Sequence, residues 1–231
     1  MIRLKLLGFA ALSSVLLTAP AQASVRASDS GARKIMRDFA RCTVKYEHRL
    51  AQQYVLMNPS DRLPEDEFRK VADGTCLGFL GGRLKMRPFQ YRAALAEELI
   101  RRDLKGRSGF DLASVPPLEW RDPDTTQVAE FSIRPAAEWQ REDQFAAETY
   151  VSQLGECTVR ANPAGARAVI EAKSESDEIA AMQAIGPQIA NCVQAGETLK
   201  FDRTILRSAI ALSYYRLAMA SASASQQAAA Q

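Results

Sequence analysis

The chain has 231 residues, with 30 Lys and Arg against 27 Asp and Glu, four cysteines and a single histidine. That length suits one compact domain or two small ones, and so balanced a charge gives no sign of the basic surface that nucleic acid requires. One histidine excludes zinc sites built on several imidazoles and leaves only His48 for any histidine-based catalytic triad.

At the amino end Arg3 and Lys5 precede an apolar run from Leu6 to Leu17, followed by Pro20 and Ala21-Gln22-Ala23. This is the pattern of a secretory signal peptide spanning residues 1–23, cleaved after Ala23. The run is too short to span a bilayer, which takes about 20 apolar residues. Ser24 follows the cleavage point, so anchoring through a modified first cysteine is not available. A soluble periplasmic or secreted protein is expected. In that compartment an even number of cysteines argues for disulfides.

Cys42-Thr43-Val44-Lys45 returns 115 residues later as Cys157-Thr158-Val159-Arg160. Leu84-Lys85 returns as Leu199-Lys200, and Arg92-Ala93-Ala94-Leu95-Ala96 as Arg207-Ser208-Ala209-Ile210-Ala211, at the same offset. Cys76 and Cys192 stand 116 apart. The expectation is an all-α protein of two tandem disulfide-stapled helical repeats, residues 24–105 and 138–219, packed together and joined by a Pro/Gly-rich linker, residues 106–137. Duplication favours the pairings Cys42–Cys76 and Cys157–Cys192, because each copy must once have folded alone.

In the first unit, Ile35, Phe39, Cys42, Tyr46, Leu50, Tyr54 and Met57 recur at helical spacing. They predict one long helix opening at Asp29 or Ser30 and ending at Asn58-Pro59. Pro64 with Glu65, Asp66 and Glu67 starts a short helix that turns Phe68 and Val71 inward. Gly78, Gly81 and Gly82 make a turn, and Pro88 opens a helix with the stripe Tyr91, Leu95, Leu99. Glycines and prolines then punctuate the linker, where 127–133 alternates like a short extended piece and Trp120 docks on the surface. The second unit starts near Trp139. Asn162-Pro163 is expected to end its first helix five residues after Cys157, against sixteen for Asn58-Pro59 after Cys42, so the copies should differ in length inside the disulfide loop. Ser176 caps a helix interrupted at Gly186-Pro187. Asp202 caps the last one, whose stripe is Leu206, Ile210 and Tyr214. The Ala/Ser/Gln tail, 220–231, is expected to be disordered or frayed.

For chemistry, His48 falls on the polar side of its helix and reads as a surface histidine. Adjacent Glu97 and Glu98 point to different sides of a helix, unlike the facing carboxylates of a glycosidase. No cofactor and no metal site is expected. Residues 24–105 carry 17 basic against 11 acidic side chains, which suits an anionic envelope component or an acidic protein partner. Within that half Arg83, Lys85 and Arg87, following the glycine turn, are the candidate ligand-binding residues. Arg92 and Arg207 read as long stems covering apolar surface. The functional expectation is an exported, non-catalytic binding or structural protein of the cell envelope. The alternatives are a carboxylate-based hydrolase or a carrier of a small apolar ligand between the repeats.

Overall fold

The computed structural model describes residues 29–58, 61, 63–76, 87–107, 109–119, 135–193 and 202–229. The leader, the glycine turn, Arg83, Lys85, Trp120 and the extended stretch 127–133 lie outside them. The described chain is all-helical. Its helices are α1 (Asp29–Tyr46), α2 (His48–Leu56), α3 (Glu65–Val71), α4 (Pro88–Asp103), α5 (Pro135–Ala161), α6 (Pro163–Glu171), α7 (Glu175–Ala184), α8 (Gly186–Cys192) and α9 (Arg203–Ala229).

The single long helix expected over 29–57 is broken at Glu47, whose backbone leaves the helical region at φ −123° and ψ 44°. The chain is kinked rather than interrupted. Glu47 N–H still donates to the Thr43 carbonyl at 2.7 Å, and Ala51 N–H to that of Glu47 at 2.8 Å. The kink redistributes the expected buried face. Tyr46 is 70% exposed and Ile35 42%, while Phe39, Val44, Leu50, Tyr54 and Val55 are buried. Acids in the first turn of α3 and Arg69 and Lys70 in its last turn suit the helix dipole. Val71 is buried there, but Phe68 stays partly exposed, meeting Tyr54 edge-on at 6.0 Å. The Val71 carbonyl at the end of α3 accepts from the Tyr91 hydroxyl and from Thr43 Oγ1. That pins the segment leading to Cys76.

α5 begins at Pro135, inside the stretch read as linker. Asn162 separates it from α6 and caps α6, its Oδ1 accepting from Gly165 N–H at 2.8 Å. Ser174, not Ser176, caps α7. Its Oγ accepts from Asp177 N–H, and Asp177 returns the bond to Ser174 N–H, a capping box. Within 109–119 the chain is non-helical and buries Leu112 and Val115. Arg160 at the end of α5 gathers the carbonyls of Leu112, Val115 and Pro116 at 2.7 to 2.9 Å.

Helix α9 is the centre of the fold. Every residue from Arg207 to Ala218 is buried, between α5, α4 and α6, while α4 also packs on α1 and α2. α9 and α5 approach so closely that a methyl group on Gly155 would lie 2.6 Å from the Ala209 backbone carbon. Instead of ending near residue 219, α9 runs to Ala229. Alanine is the best helix former, and Ser223 and Ser225 turn their hydroxyls back onto the Met219 and Ser221 carbonyls.

Two disulfides staple the helices. Cys42 on α1 bonds Cys76, with Cα atoms 5.5 Å apart, and Cys157 on α5 bonds Cys192 at the end of α8, at 5.9 Å. Each closes a loop whose restriction of the unfolded chain is worth about 4 kcal/mol in the loop-entropy account. The kink at Glu47 and the break at Asn162 stand 115 residues apart. So do both bounds of α2 and α6, and the starts of α4 and α9. The difference in helix length expected from Asn58-Pro59 is therefore absent: α1 ends at Tyr46 and α5 at Ala161, each four residues after its cysteine.

Candidate functional site

The contacts from α4 to α9 advance together along both helices. Glu97 meets Arg207, and six residues on, Asp103 meets Tyr215. The two helices therefore run side by side in the same sense. α1 lies across their beginning, and the three enclose a groove of about 40 Å³ lined by Arg33, Met36, Arg37, Gln90, Ala94, Glu97, Thr204, Arg207 and Ser208.

Arg207 forms its floor and spends four of its five N–H donors. Its Nε and Nη2 donate to the two oxygens of Glu97 at 2.7 and 2.9 Å, Nη1 to Glu178 at 2.8 Å, and Nη2 also to the Ile170 carbonyl at 2.8 Å. Burial alone would lower its proton affinity, but the bonds and charges of Glu97 and Glu178 outweigh that and raise it above the ordinary arginine value. Glu178, on α7, is 3% exposed. It also accepts from Arg33 Nη1 at 2.7 Å and lies 3.2 Å from Arg203 Nε. Glu97 is held a second time, by Arg101 at 2.8 Å, and Arg101 extends the lattice to Glu98 at 2.9 Å. Buried carboxylates paired this way are costly to strip of a partner.

Arg92, 115 residues earlier, is equally buried but is built otherwise. It donates to the Met57 and Asn58 carbonyls at the end of α2, stacks over Tyr54 at 5.0 Å, and leaves its Nε unbonded. Burial pulls its guanidinium down to about 10. Arg216 nearby is lowered by burial as well, with Glu156 and Asp61 acting in the opposite direction. Thus Arg207 reaches a carbonyl in the last turn of α6, whereas Arg92 reaches carbonyls just past the end of α2.

His48 is not the unattached surface residue expected. Its Nε2 lies 2.8 Å from Asp103 Oδ1, and Asp103 Oδ2 accepts from the Tyr215 hydroxyl at 2.8 Å. That hydroxyl accepts in turn from Gln52 Nε2 at 3.0 Å. Burial, then the Asp103 carboxylate, raises the Tyr215 hydroxyl above the usual tyrosine range. The network joins α2, α4 and α9.

Of the residues proposed from sequence for ligand binding, Arg87 alone is described. It is exposed and sits just ahead of α4, one turn before groove-lining Gln90. Sequence reasoning missed Arg33, Arg37 and Glu178. The first two lie on the outer side of the α1 stripe, and Glu178 looks like one more acid in a helix's first turn. No group of His, Cys, Asp and Glu able to hold a metal occurs among the described residues. Compared with protein-family models, with curated proteins and with solved structures, the chain matches none.

Proposed function

We propose that this is an exported, non-catalytic binding or structural protein of the cell envelope, made of two tandem disulfide-stapled helical repeats joined by a Pro/Gly-rich linker, and contacting an anionic partner through its amino-terminal half. The observation that carries the reading is the treatment of the carboxylates around the groove. Glu97, Glu98 and Glu178 are all held in ion pairs with arginines, which supports binding over acid/base work. A hydrolase needs one carboxyl able to release or take a proton at the reacting bond.

The repeats find support in the shared 115-residue offset of the helix bounds and in one disulfide per half. Export finds support in the signal-like leader and in two disulfides with no free cysteine among the described residues. No described helix is long and apolar enough to cross a membrane.

The test is retention of the purified chain on anionic vesicles or envelope polymer across a salt series. Binding that weakens as salt rises fits the reading. A chain that binds none of these surfaces, or that turns over an envelope glycan, overturns it.

A further inference from the structure

We propose that the groove between α1, α4 and the start of α9 is a site for one oxyanion group of phosphate or carboxylate type, with Arg37 and Arg33 as its principal ligands. This rests on the reading of an anionic partner and gives that partner a place and a chemistry.

The argument is a count of donors against acceptors. The groove has a single carboxylate, Glu97, and both of its oxygens are already taken by Arg207 and Arg101. Arg207 has spent all but one Nη1 hydrogen. Arg33 spends Nη1 on Glu178, while its Nη2 stands 4.0 Å from Glu175, beyond hydrogen-bond reach. Arg37 is half-buried in the wall, and no described residue accepts a hydrogen bond from it. Gln90 and Thr204 add an amide and a hydroxyl with no described side-chain partner. An arginine fork, part of a second one, an amide and a hydroxyl therefore line a groove whose only carboxylate is already paired. A planar or tetrahedral oxyanion is the group such forks match.

Size narrows the class. The enclosed part of the groove, about 40 Å³, has room for a small oxyanion group and lies open on its outer side. The ligand is thus the charged end of something larger, or a free ion. Arg87, one turn ahead of Gln90, and Lys34 and Arg41, exposed on α1 beside Arg37, would face whatever extends outward. Asp38, held by Lys34 at 2.6 Å, is the nearest opposing charge on α1 and is already paired.

The experiment uses the full chain with both disulfides formed and reads the arginine Nε–Hε signals by NMR during titration with inorganic phosphate, then with acetate. The site requires saturable shifts at Arg37 and Arg33, with Arg160, locked on loop carbonyls, unmoved. Shifts spread evenly over all arginines, or none, overturn it. Arg37→Gln removes no bond of the fold and should leave the melting temperature unchanged while weakening phosphate binding at least about tenfold, the worth of one charge-assisted contact. Unaltered binding in that variant counts against the site. Vesicles with and without a phosphomonoester headgroup then separate the sources: retention lost in Arg37→Gln identifies a headgroup, and phosphate binding without retention identifies a free ion. If the groove binds no phosphate while salt-sensitive envelope binding persists, this inference fails and the broader reading stands. If phosphate binds but no envelope surface is retained, the reverse holds.

Discussion

Arg92 and Arg207 stand 115 residues apart in the sequence and are equally buried, yet Arg207 is held by two carboxylates while Arg92 meets none in an ion pair among the described residues. The lesson is that a recurring sequence pattern fixes where a side chain goes but not what its charge is for. Around Arg207, Glu97 and Glu178 turn the cation into the centre of a lattice joining α1, α4, α7 and α9. Around Arg92, aromatic and carbonyl contacts hold a cation that burial disfavours. In the first half the residues 115 before Glu178 and Arg207 are Leu63 and Arg92, so the acid there is replaced by a buried leucine.

The largest effect expected from breaking this contrast is Arg207→Met. It takes one of three arginines from Glu178 and one of two from Glu97, leaving Arg33 and Arg203 on the first and Arg101 on the second, and should cost about 3 kcal/mol in urea unfolding. Gly155→Ala comes next. Ala40, its counterpart 115 residues earlier, keeps a fully buried methyl, but at 155 a methyl meets the Ala209 backbone, so a loss of about 2 to 3 kcal/mol is expected. Arg92→Met should cost less, about 1 to 2 kcal/mol, since it frees two carbonyls but also relieves a buried, unpaired charge.

Tyr215→Phe should cost about 1 kcal/mol by leaving Asp103 and Gln52 short of a partner. The tyrosine also sets an alkaline limit. Its folded affinity for the proton is raised, so the stability it lends is complete below the ordinary tyrosine value of 10.0 and is lost as pH rises beyond it. Thermal melts of wild type and the Phe variant should converge there. The smallest effect lies at the acid end. Lys34 lowers Asp38, and Arg203 lowers Glu175. Their contribution is present above the ordinary values of 3.8 and 4.5 and fades as pH falls through the lowered ones, a shallow decline in melting temperature.

Much of this scaffold was legible from residue spacing. The cysteine echo anticipated both bridges, and Tyr91-Leu95-Leu99 are buried as periodicity demands, while of the stripe Leu206-Ile210-Tyr214 the first is only partly buried. The kink at Glu47 was not legible. No proline or glycine marks it, and its stripe continues across the break with only a change of face. Asn58-Pro59, a strong local stop, drew the boundary eleven residues too far along. The groove was less visible still. Arg33 and Arg37 carry no pattern by themselves, and Glu178 becomes informative only once α7 is laid against α1 and α9. The Arg92/Arg207 echo pointed to the right helix faces but described both as apolar cover, because a repeat reveals what the copies share and hides where their neighbours differ.

The measurement that bears most directly on the contrast is a double-mutant cycle on Arg207→Met and Glu178→Gln, read by urea unfolding. If Arg207 stabilises chiefly by neutralising the buried Glu178, the double variant loses less than the two single losses together, with a coupling of about 1 to 3 kcal/mol. Strict additivity would mean that Arg207, like Arg92, serves only to hold helix-end carbonyls, and would contradict the distinction drawn between the two halves.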